Sequence, residues 1–324
     1  MKLHVQIPAL NEEKTIAQVI AGIRQATQGL GDVTILVVDD GSGDRTGELA
    51  RAAGADVIRH PAQRGVGATF RTGIEQATES GADIVVTIDA DGQFNPADIA
   101  KLVAPIVEGQ ADFVTATRFA DPRMIPEMPG LKRWGNGFMA RWISTLTGQR
   151  FSDVSCGFRA YARNAYLRLV LLGEFTYTHE TFLNLAFAGM RIVEVPVQVR
   201  GTREFGDSRV ANNLLRYGWQ TACIILKTYR DYRPLRFFSG LALTQFVAAL
   251  IFLTFLITVK ITTGKLTPHK WSGFVAAAFA GSGLAFYLIG LVAEMFDRVR
   301  VAQQELLFRV RRLEGKLTGG DKNR

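Results

Sequence analysis

Cysteine is almost absent from this chain: its 324 residues hold two, Cys156 and Cys223, far apart in sequence. That excludes a disulfide framework and a cysteine zinc site, which need paired or clustered spacing, and it fits a reducing compartment. The opening Met-Lys-Leu-His-Val-Gln-Ile-Pro has a short, alternating apolar pattern, so no secretory signal is expected. A dinucleotide oxidoreductase needs Gly-x-Gly-x-x-Gly after its first strand. Here that turn is Ala9-Leu10-Asn11-Glu12, and the later Gly65-Val66-Gly67 lacks a third glycine in register. No interleaved aromatic and basic platform for nucleic acid is evident.

What is present is apolar and basic. Hydrophobic residues make up 48% of the chain, ample for a core, and the net charge is +8. Phe237–Val259 is a stretch of 23 residues without a charge, flanked by Arg236 and Lys260. Trp271–Ala293 is a second, flanked by Lys270 and Glu294. Each can cross a hydrocarbon core of ~30 Å at ~1.5 Å per residue, whereas core helices of that length carry a polar face. Gly281-Ser282-Gly283 offers small residues for close helix packing. The short link Ile261–His269 makes the pair a hairpin, with both chain ends on one side. Arg230, Arg233 and Arg236 precede it, and Arg298, Arg300, Arg309, Arg311 and Arg312 follow it. The link region carries only Lys260, Lys265 and Lys270. The positive-inside rule therefore predicts an integral protein of the cytoplasmic membrane with both termini cytoplasmic. The arginines would meet anionic lipid headgroups there, which explains much of the charge without nucleic acid.

Residues 1 to about 120 alternate strand and helix patterns, which predicts an α/β fold with a mostly parallel sheet and flanking helices. Strands are expected at Leu3–Pro8, Val33–Val38, Asp56–Arg59, Ile84–Ile88 and Asp112–Thr117, and a further one at Ile192–Val199. Asn11 reads as the N-cap of the first helix. Met124–Gly130, with two prolines and a glycine, reads as a loop. The expected division is a catalytic domain over 1–210, an amphipathic helix in the membrane interface over 211–235, the hairpin over 236–295, and a cytoplasmic helix and tail over 296–324. Leu306, Val310, Leu313 and Leu317 recur at spacings of three and four, a pattern for contact between subunits. A homo-oligomer joined through the membrane and C-terminal helices is the corresponding expectation.

The chemistry lies at three predicted strand ends. The buried-strand run Ile84–Ile88 exits into Asp89-Ala90-Asp91-Gly92. Asn11-Glu12 follows the first strand and Asp39-Asp40 the second. In an open parallel sheet these ends line one edge, where ligands bind. Crowded carboxylates repel unless a cation lies between them. A nucleotide with a hard divalent metal resolves the crowding, since its hydroxyl and amide groups donate to some acids and the metal binds the rest.

At this point the chain resembles a known family. Ile7-Pro8-Ala9-Leu10-Asn11-Glu12, Val37-Val38-Asp39-Asp40-Gly41-Ser42 and Asp89-Ala90-Asp91-Gly92-Gln93 resemble the successive signatures of family 2 inverting glycosyltransferases of the GT-A fold. Arg133-Trp134-Gly135-Asn136, Asp153-Val154-Ser155-Cys156-Gly157-Phe158-Arg159 and Gly206-Asp207-Ser208-Arg209 extend the likeness. Together the six motifs resemble the polyprenyl-phosphate glycosyltransferases, the group of dolichyl-phosphate mannose synthase, over residues 3 to 210. The hairpin tail resembles that of bacterial and archaeal members.

The resemblance implies roles. Pro8, Leu10, Glu12, Asp39, Asp40, Asp89 and Ala90 would line the nucleotide-sugar pocket. Asp89, Asp91 and Gln93 would hold Mg²⁺ or Mn²⁺ against the donor diphosphate. Arg118 and Arg209 would meet donor phosphate and Arg133 a donor or acceptor phosphate, because guanidinium gives forked, permanent, charge-assisted bonds. Arg200 and Arg203 are weaker candidates of that kind. Asp153 and Glu180 are the candidate bases, and Asp153 could instead orient Arg159 or Arg133. Leu10 stands where the family often has an aromatic residue, and Arg209 where it has lysine. Cys156 reads as packing.

The implied reaction is attack by a polyprenyl (undecaprenyl or dolichyl) phosphate on the anomeric carbon of a nucleotide-sugar, with inversion. UDP-glucose and GDP-mannose are both open as donors, and the two-span tail leans toward UDP-glucose by analogy. A processive polysaccharide synthase would need more spans and a Gln-x-x-Arg-Trp motif; Gly130-Leu131-Lys132-Arg133-Trp134 lacks the glutamine. A membrane-bound nucleotide-sugar sensor or scaffold without turnover is the rival from another class.

Overall fold

The computed structural model describes residues 1–170, 177–200 and 214–320. Two compact units emerge, one of Met1–Ile225 with Gln304–Arg324, the other of Leu226–Gln303.

The first unit is built on seven strands: β1 (Lys2–Ala9), β2 (Asp32–Asp39), β3 (Asp56–Arg59), β4 (Ile84–Thr87), β5 (Phe113–Thr117), β6 (Arg159–Ala162) and β7 (Ile192–Pro196). Their spatial order is β3-β2-β1-β4-β6-β5-β7. The order grows outward from β1 to β3, then restarts beside β1 with β4, so the crevice between β1 and β4 is the switch point of the sheet. Every pairing is parallel except those of β6, which runs against both β4 and β5. That reversal matters for the site: the residues leading into β6 reach the edge at which the other strands end.

Alternation along β1 divides the core. Leu3, Val5 and Ile7 pack on one face with Ile16, Ile20 and Ile23 of α1 (Ile16–Ala26) and with Leu102 and Val103 of α4 (Ile99–Val107). The opposite face turns His4 and Gln6 toward α3 (Val66–Glu79), where a Cβ on Gly73 would lie 1.8 Å from Gln6 Oε1. Only glycine lets α3 approach so closely. The second core gathers Phe70, Tyr161, Tyr177 and Phe182, with Phe70 stacked on Tyr177 at 4.0 Å. α2 (Thr46–Ala52), α5 (Gly130–Thr147), α6 (Arg163–Tyr166) and α7 (Thr178–Phe187) complete the covering layers.

The same unit takes in the far end of the chain. Phe308 is buried in the second core, under the Arg168 guanidinium at 4.0 Å. Arg168 also pairs with Glu305 at 3.2 Å, and Arg311 donates to the carbonyls of Leu167 and Leu169.

The second unit contains all of α9 (Pro234–Thr263) and the first part of α10 (Trp271–Gly320). Both helices are long and apolar enough to cross a membrane. Leu250, Ile251 and Phe274 are among the large apolar side chains they leave exposed, unlike the core helices of a soluble domain. Glycine brings the pair together: Cβ atoms at Gly273, Gly283 and Gly290 would lie 3.0–3.1 Å from Leu256, Phe246 and Phe238. Gly281 has no such neighbour.

Several expectations are corrected. Asn11 does not cap α1, whose N-cap is Thr15; Asn11 instead sits at φ 51° in the preceding turn. The expected separate helix after Phe296 is the continuation of α10, because no proline or glycine interrupts Gly290 to Gly315. α5, β6 and α7 lie in the stretch whose pattern reads as irregular. Pro129 and Gly148 punctuate α5, the latter left-handed at φ 74°, and that punctuation was the available signal. The amphipathic segment does form a helix, α8 (Leu214–Tyr232).

Candidate active site

Two of the acid-bearing turns are laced together. Asn11 N donates to Ser42 Oγ at 2.9 Å, and Gly43 N returns a bond to Asn11 Oδ1 at 2.7 Å. Glu12 N donates to Thr46 Oγ1 and Glu13 N to Asp44 Oδ2. The left-handed backbone at Asn11 turns the β1 exit toward the β2 exit, a conformation asparagine tolerates better than most residues. Pro8, Leu10 and Glu12 lie along this turn, each half-buried.

Asp39 and Asp40 differ although adjacent. Asp39 is fully buried; its Oδ1 accepts from Ser42 N at 2.8 Å, while Oδ2 has no hydrogen bond, with Arg59 Nε 3.7 Å away. An orphaned buried carboxylate oxygen is an acceptor that a ligand hydroxyl or amide can complete. Asp40 is spent internally: Oδ1 meets Arg64 N at 2.9 Å and His60 Nδ1 at 2.8 Å, and Oδ2 accepts from Gly65 N at 2.8 Å. His60 Nε2 continues to Thr72 of α3 at 3.0 Å. Asp40 therefore shapes the 61–65 loop rather than lining a pocket, because its carboxylate is already fully engaged.

At the β4 exit, Asp89 is half-buried and Asp91 buried. Asp91 Oδ1 accepts from Gln93 N at 3.1 Å, and Gln93 Nε2 donates to the Arg200 carbonyl at 2.9 Å. Oε1 is thus the atom Gln93 can offer a cation. Ala90 points into the core, 3% exposed, so its side chain is not part of a pocket lining. A cavity of about 660 Å³ flanks Gln93 and Arg200, lined also by Gln18, Asn95 and Lys101. The donor set of Asp89, Asp91 and Gln93 is all oxygen, as a hard divalent cation requires. Among the described residues no three His, Cys, Asp or Glu side chains converge as a complete cage.

The lead-in to β6 lies against this loop. A Cβ on Gly157 would lie 2.9 Å from Asp89 Oδ2. The same turn carries Asp153, fully buried and held by Arg118 through Nε–Oδ2 at 2.6 Å and Nη2–Oδ1 at 2.9 Å. Arg118 Nη2 also reaches Ser155 Oγ at 2.7 Å, and Ser155 Oγ donates to Asn136 Oδ1 of α5 at 2.8 Å. Burial alone would raise the Asp153 carboxyl; the Arg118 charge and the bonds from Arg118 and Ser155 outweigh it and hold it below the ordinary value. An ionised, bidentately paired carboxylate is a poor proton acceptor, so Asp153 orients Arg118, not the Arg159 or Arg133 that the sequence pointed to.

Arg159 is the other correction. It is completely buried and donates to the carbonyls of Cys156 (2.7 Å), Thr178 (3.0 Å) and Val154 (3.2 Å), with the Phe182 ring at 5.0 Å. Its guanidinium ties the turn to the start of α7 and has no exposed surface. Glu180 is buried in the first turn of α7, where the helix dipole favours an anion. Burial pushes the neighbouring His179 down to about 3 and the Cys156 thiol up to about 12, so neither exchanges protons near neutrality. Arg133 is exposed on α5. Arg203 and Arg209 lie outside the described residues. Glu194, which sequence reasoning missed, anchors the Ser152–Asp153 backbone from β7.

A mostly parallel sheet with acids at the carboxyl ends of β1, β2 and β4 defines a GT-A type glycosyltransferase. Residues 4–170 match the family model described as Glycosyl transferase family 2, and the chain belongs to that family. It is 33% identical over 238 residues to the UDP-N-acetylglucosamine--dolichyl-phosphate N-acetylglucosaminyltransferase of Methanococcus voltae, covering 66% of this chain and 92% of that one. It is 29% identical to the undecaprenyl-phosphate 4-deoxy-4-formamido-L-arabinose transferase of Pseudomonas paraeruginosa, over 91% of this chain and 85% of the other. Among solved structures, glucosyl-3-phosphoglycerate synthase from Mycobacterium tuberculosis, in complex with Mn²⁺, UDP and phosphoglyceric acid, superposes with a TM-score of 0.57 at 24% identity, covering 70% of this chain and 78% of that one.

Proposed function

We propose that this glycosyltransferase moves a sugar from a nucleotide-sugar to a polyprenyl phosphate at the cytoplasmic face of the membrane, with inversion and with a divalent metal, Mg²⁺ or Mn²⁺. The observation that carries the reading is the contact at Gly157, which sets the Arg118–Asp153 pair against the Asp89 loop. Carboxylates suited to a cation and a cation suited to a phosphate thereby share one edge. The lipid acceptor is supported by the names of the two relatives and by the two apolar helices. α5 adds a surface: Leu131, Trp134 and Phe138 are exposed at helical spacing beside Lys132 and Arg133, a composition suited to headgroups.

In this reading Glu12 and the open Oδ2 of Asp39 receive ribose or base donors. Asp89, Asp91 and Gln93 would hold the cation. The metal supplies Lewis-acid stabilisation of the leaving diphosphate. Arg118, fixed by Asp153, presents a guanidinium to phosphate, and Arg133 and Arg209 are its partners. The acceptor phosphate is already anionic near neutral pH, so no strong base is required; Glu180 is the remaining candidate if one acts. UDP donors are favoured, since one relative's name specifies UDP.

The test is to incubate purified protein with UDP- or GDP-sugars, Mg²⁺ or Mn²⁺ and polyprenyl phosphate, and to measure nucleoside diphosphate release and lipid-linked sugar. Release that needs both lipid and metal is expected. No release with any donor sinks the reading.

A further inference from the structure

Glu194 has an unusual setting for a carboxylate. It lies on β7, opposite Thr115 of β5, and is half-buried. Among the described residues it has no cationic partner. Oε1 accepts from Ser152 N at 3.0 Å and Asp153 N at 2.9 Å, and Oε2 from Ser152 N and Ser152 Oγ, both at 2.9 Å. Ser152 Oγ also meets Thr117 Oγ1 at 2.7 Å, and Asn136 Nδ2 holds the Ser152 carbonyl at 3.2 Å. A desolvated carboxylate without a counter-charge is costly. Two backbone N–H groups alone could be satisfied by a neutral acceptor, so tying a strand to a loop does not by itself require an anion.

We infer that Glu194 is a positioning residue for the transfer reaction: it clasps the Ser152–Asp153 peptide so that Asp153 aims the Arg118 guanidinium at a substrate phosphate. Charge-assisted bonds to both N–H groups fix the peptide plane. That plane sets the Asp153 side chain, and the bidentate ion pair passes the setting to Arg118. Thr117, directly before Arg118, is pinned to the same Ser152. Two carboxylates thus frame one guanidinium, one binding it and the other placing its binder. The inference rests on the proposed reading of Arg118 as the phosphate contact.

Glu194→Gln keeps the size but replaces one acceptor oxygen by a donor facing N–H groups. It is expected to raise KM about tenfold for one substrate alone, the nucleotide-sugar or a short-chain prenyl phosphate, or to lower kcat about tenfold, with the other KM within twofold of wild type. Glu194→Asp, which shortens the reach, should do the same. If either variant shifts donor and acceptor KM together, or leaves kcat and both KM values unchanged, the inference fails. Should these variants not accumulate, Ser152→Ala removes only the hydroxyl bonds to Glu194 and Thr117 and carries the same split at smaller size. Wild-type silence toward every prenyl phosphate would overturn the proposed reaction instead. Glu194 is then judged by a thermal double-mutant cycle with Arg118→Lys. Tm losses well short of additive support the linkage, and additive losses overturn it.

Discussion

Two parts of the same sheet edge are built on opposite plans. The acids after β1, β2 and β4 are short local motifs, each following a buried strand, and the turns carrying two of them are laced to each other by backbone donors. The Arg118 cluster draws on β5, α5, the lead-in to β6 and β7, with partners up to 42 positions apart. The first plan needs only that parallel strands end together. The second needs the whole second half of the sheet to be in place before Arg118 points anywhere. The proposed nucleotide recognition is therefore local in sequence, and the proposed phosphate contact of Arg118 is assembled.

The comparison can be broken most forcefully at Asp89. Asp89→Asn keeps the shape and removes a charge from the proposed cation site, so turnover should fall by roughly a thousandfold, as for loss of a strong electrostatic stabiliser. Wild-type turnover in the purified variant would end the metal assignment. Gly157→Ala comes next, because the new methyl group would press on the Asp89 carboxylate where the two plans touch. Misplacement of that order costs about a hundredfold in kcat, measurable beside a circular-dichroism check of the fold. Replacing Leu131 and Trp134 together by serine should reduce transfer to bilayer-embedded polyprenyl phosphate about tenfold and leave a soluble short-chain acceptor untouched, by the lost apolar burial. Equal effects on both acceptors would remove α5 from the membrane surface.

Smaller effects separate the plans further. His60→Asn loosens the Asp40 clasp on the 61–65 loop, and donor KM should rise about tenfold or less, the worth of about one hydrogen bond, with acceptor KM unchanged. Acidification addresses the other side. The folded Asp153 carboxyl lies below its ordinary value of 3.8, so its contribution to stability is complete above that pH and is lost as pH falls through the lower folded value. Glu194 has the opposite sign: burial raises it above its ordinary 4.5, so its contribution is present below that value and is lost as pH rises through the folded one. A Tm titration from pH 6 downward, with and without Arg118→Gln, reads the contribution of Asp153, because glutamine removes the charge that holds its carboxyl low; an unchanged acid limb in the variant would contradict it.

Much of the first plan is legible in the sequence because a β-branched run followed by Asp or Glu announces both the strand and its exit. Asp40 shows the limit, since nothing local says that His60 and Gly65 will use up its carboxylate. Arg159 shows it again. Its motif context points to chemistry, while burial under three aromatic rings and three carbonyl bonds makes it a brace. Glu194 leaves no local mark, being one acid in an unremarkable strand. β6 was missed because four residues are too few for a period to show, and with it went the reason that Asp153 reaches the edge at all.

The antiparallel course of β6 has a consequence beyond placement. Residues 118–158 leave the sheet at the end of β5 and return at the start of its neighbour, with Thr115 facing Arg159 and Phe113 facing Tyr161 across the ladder. The whole excursion is closed at its base like an oversized hairpin. Lengthening such a closed loop costs little, since closure entropy grows only slowly with length. Changes of length are therefore expected to be tolerated in the body of the segment and not at its base, where Gly157 meets the Asp89 loop and Asp153 holds Arg118.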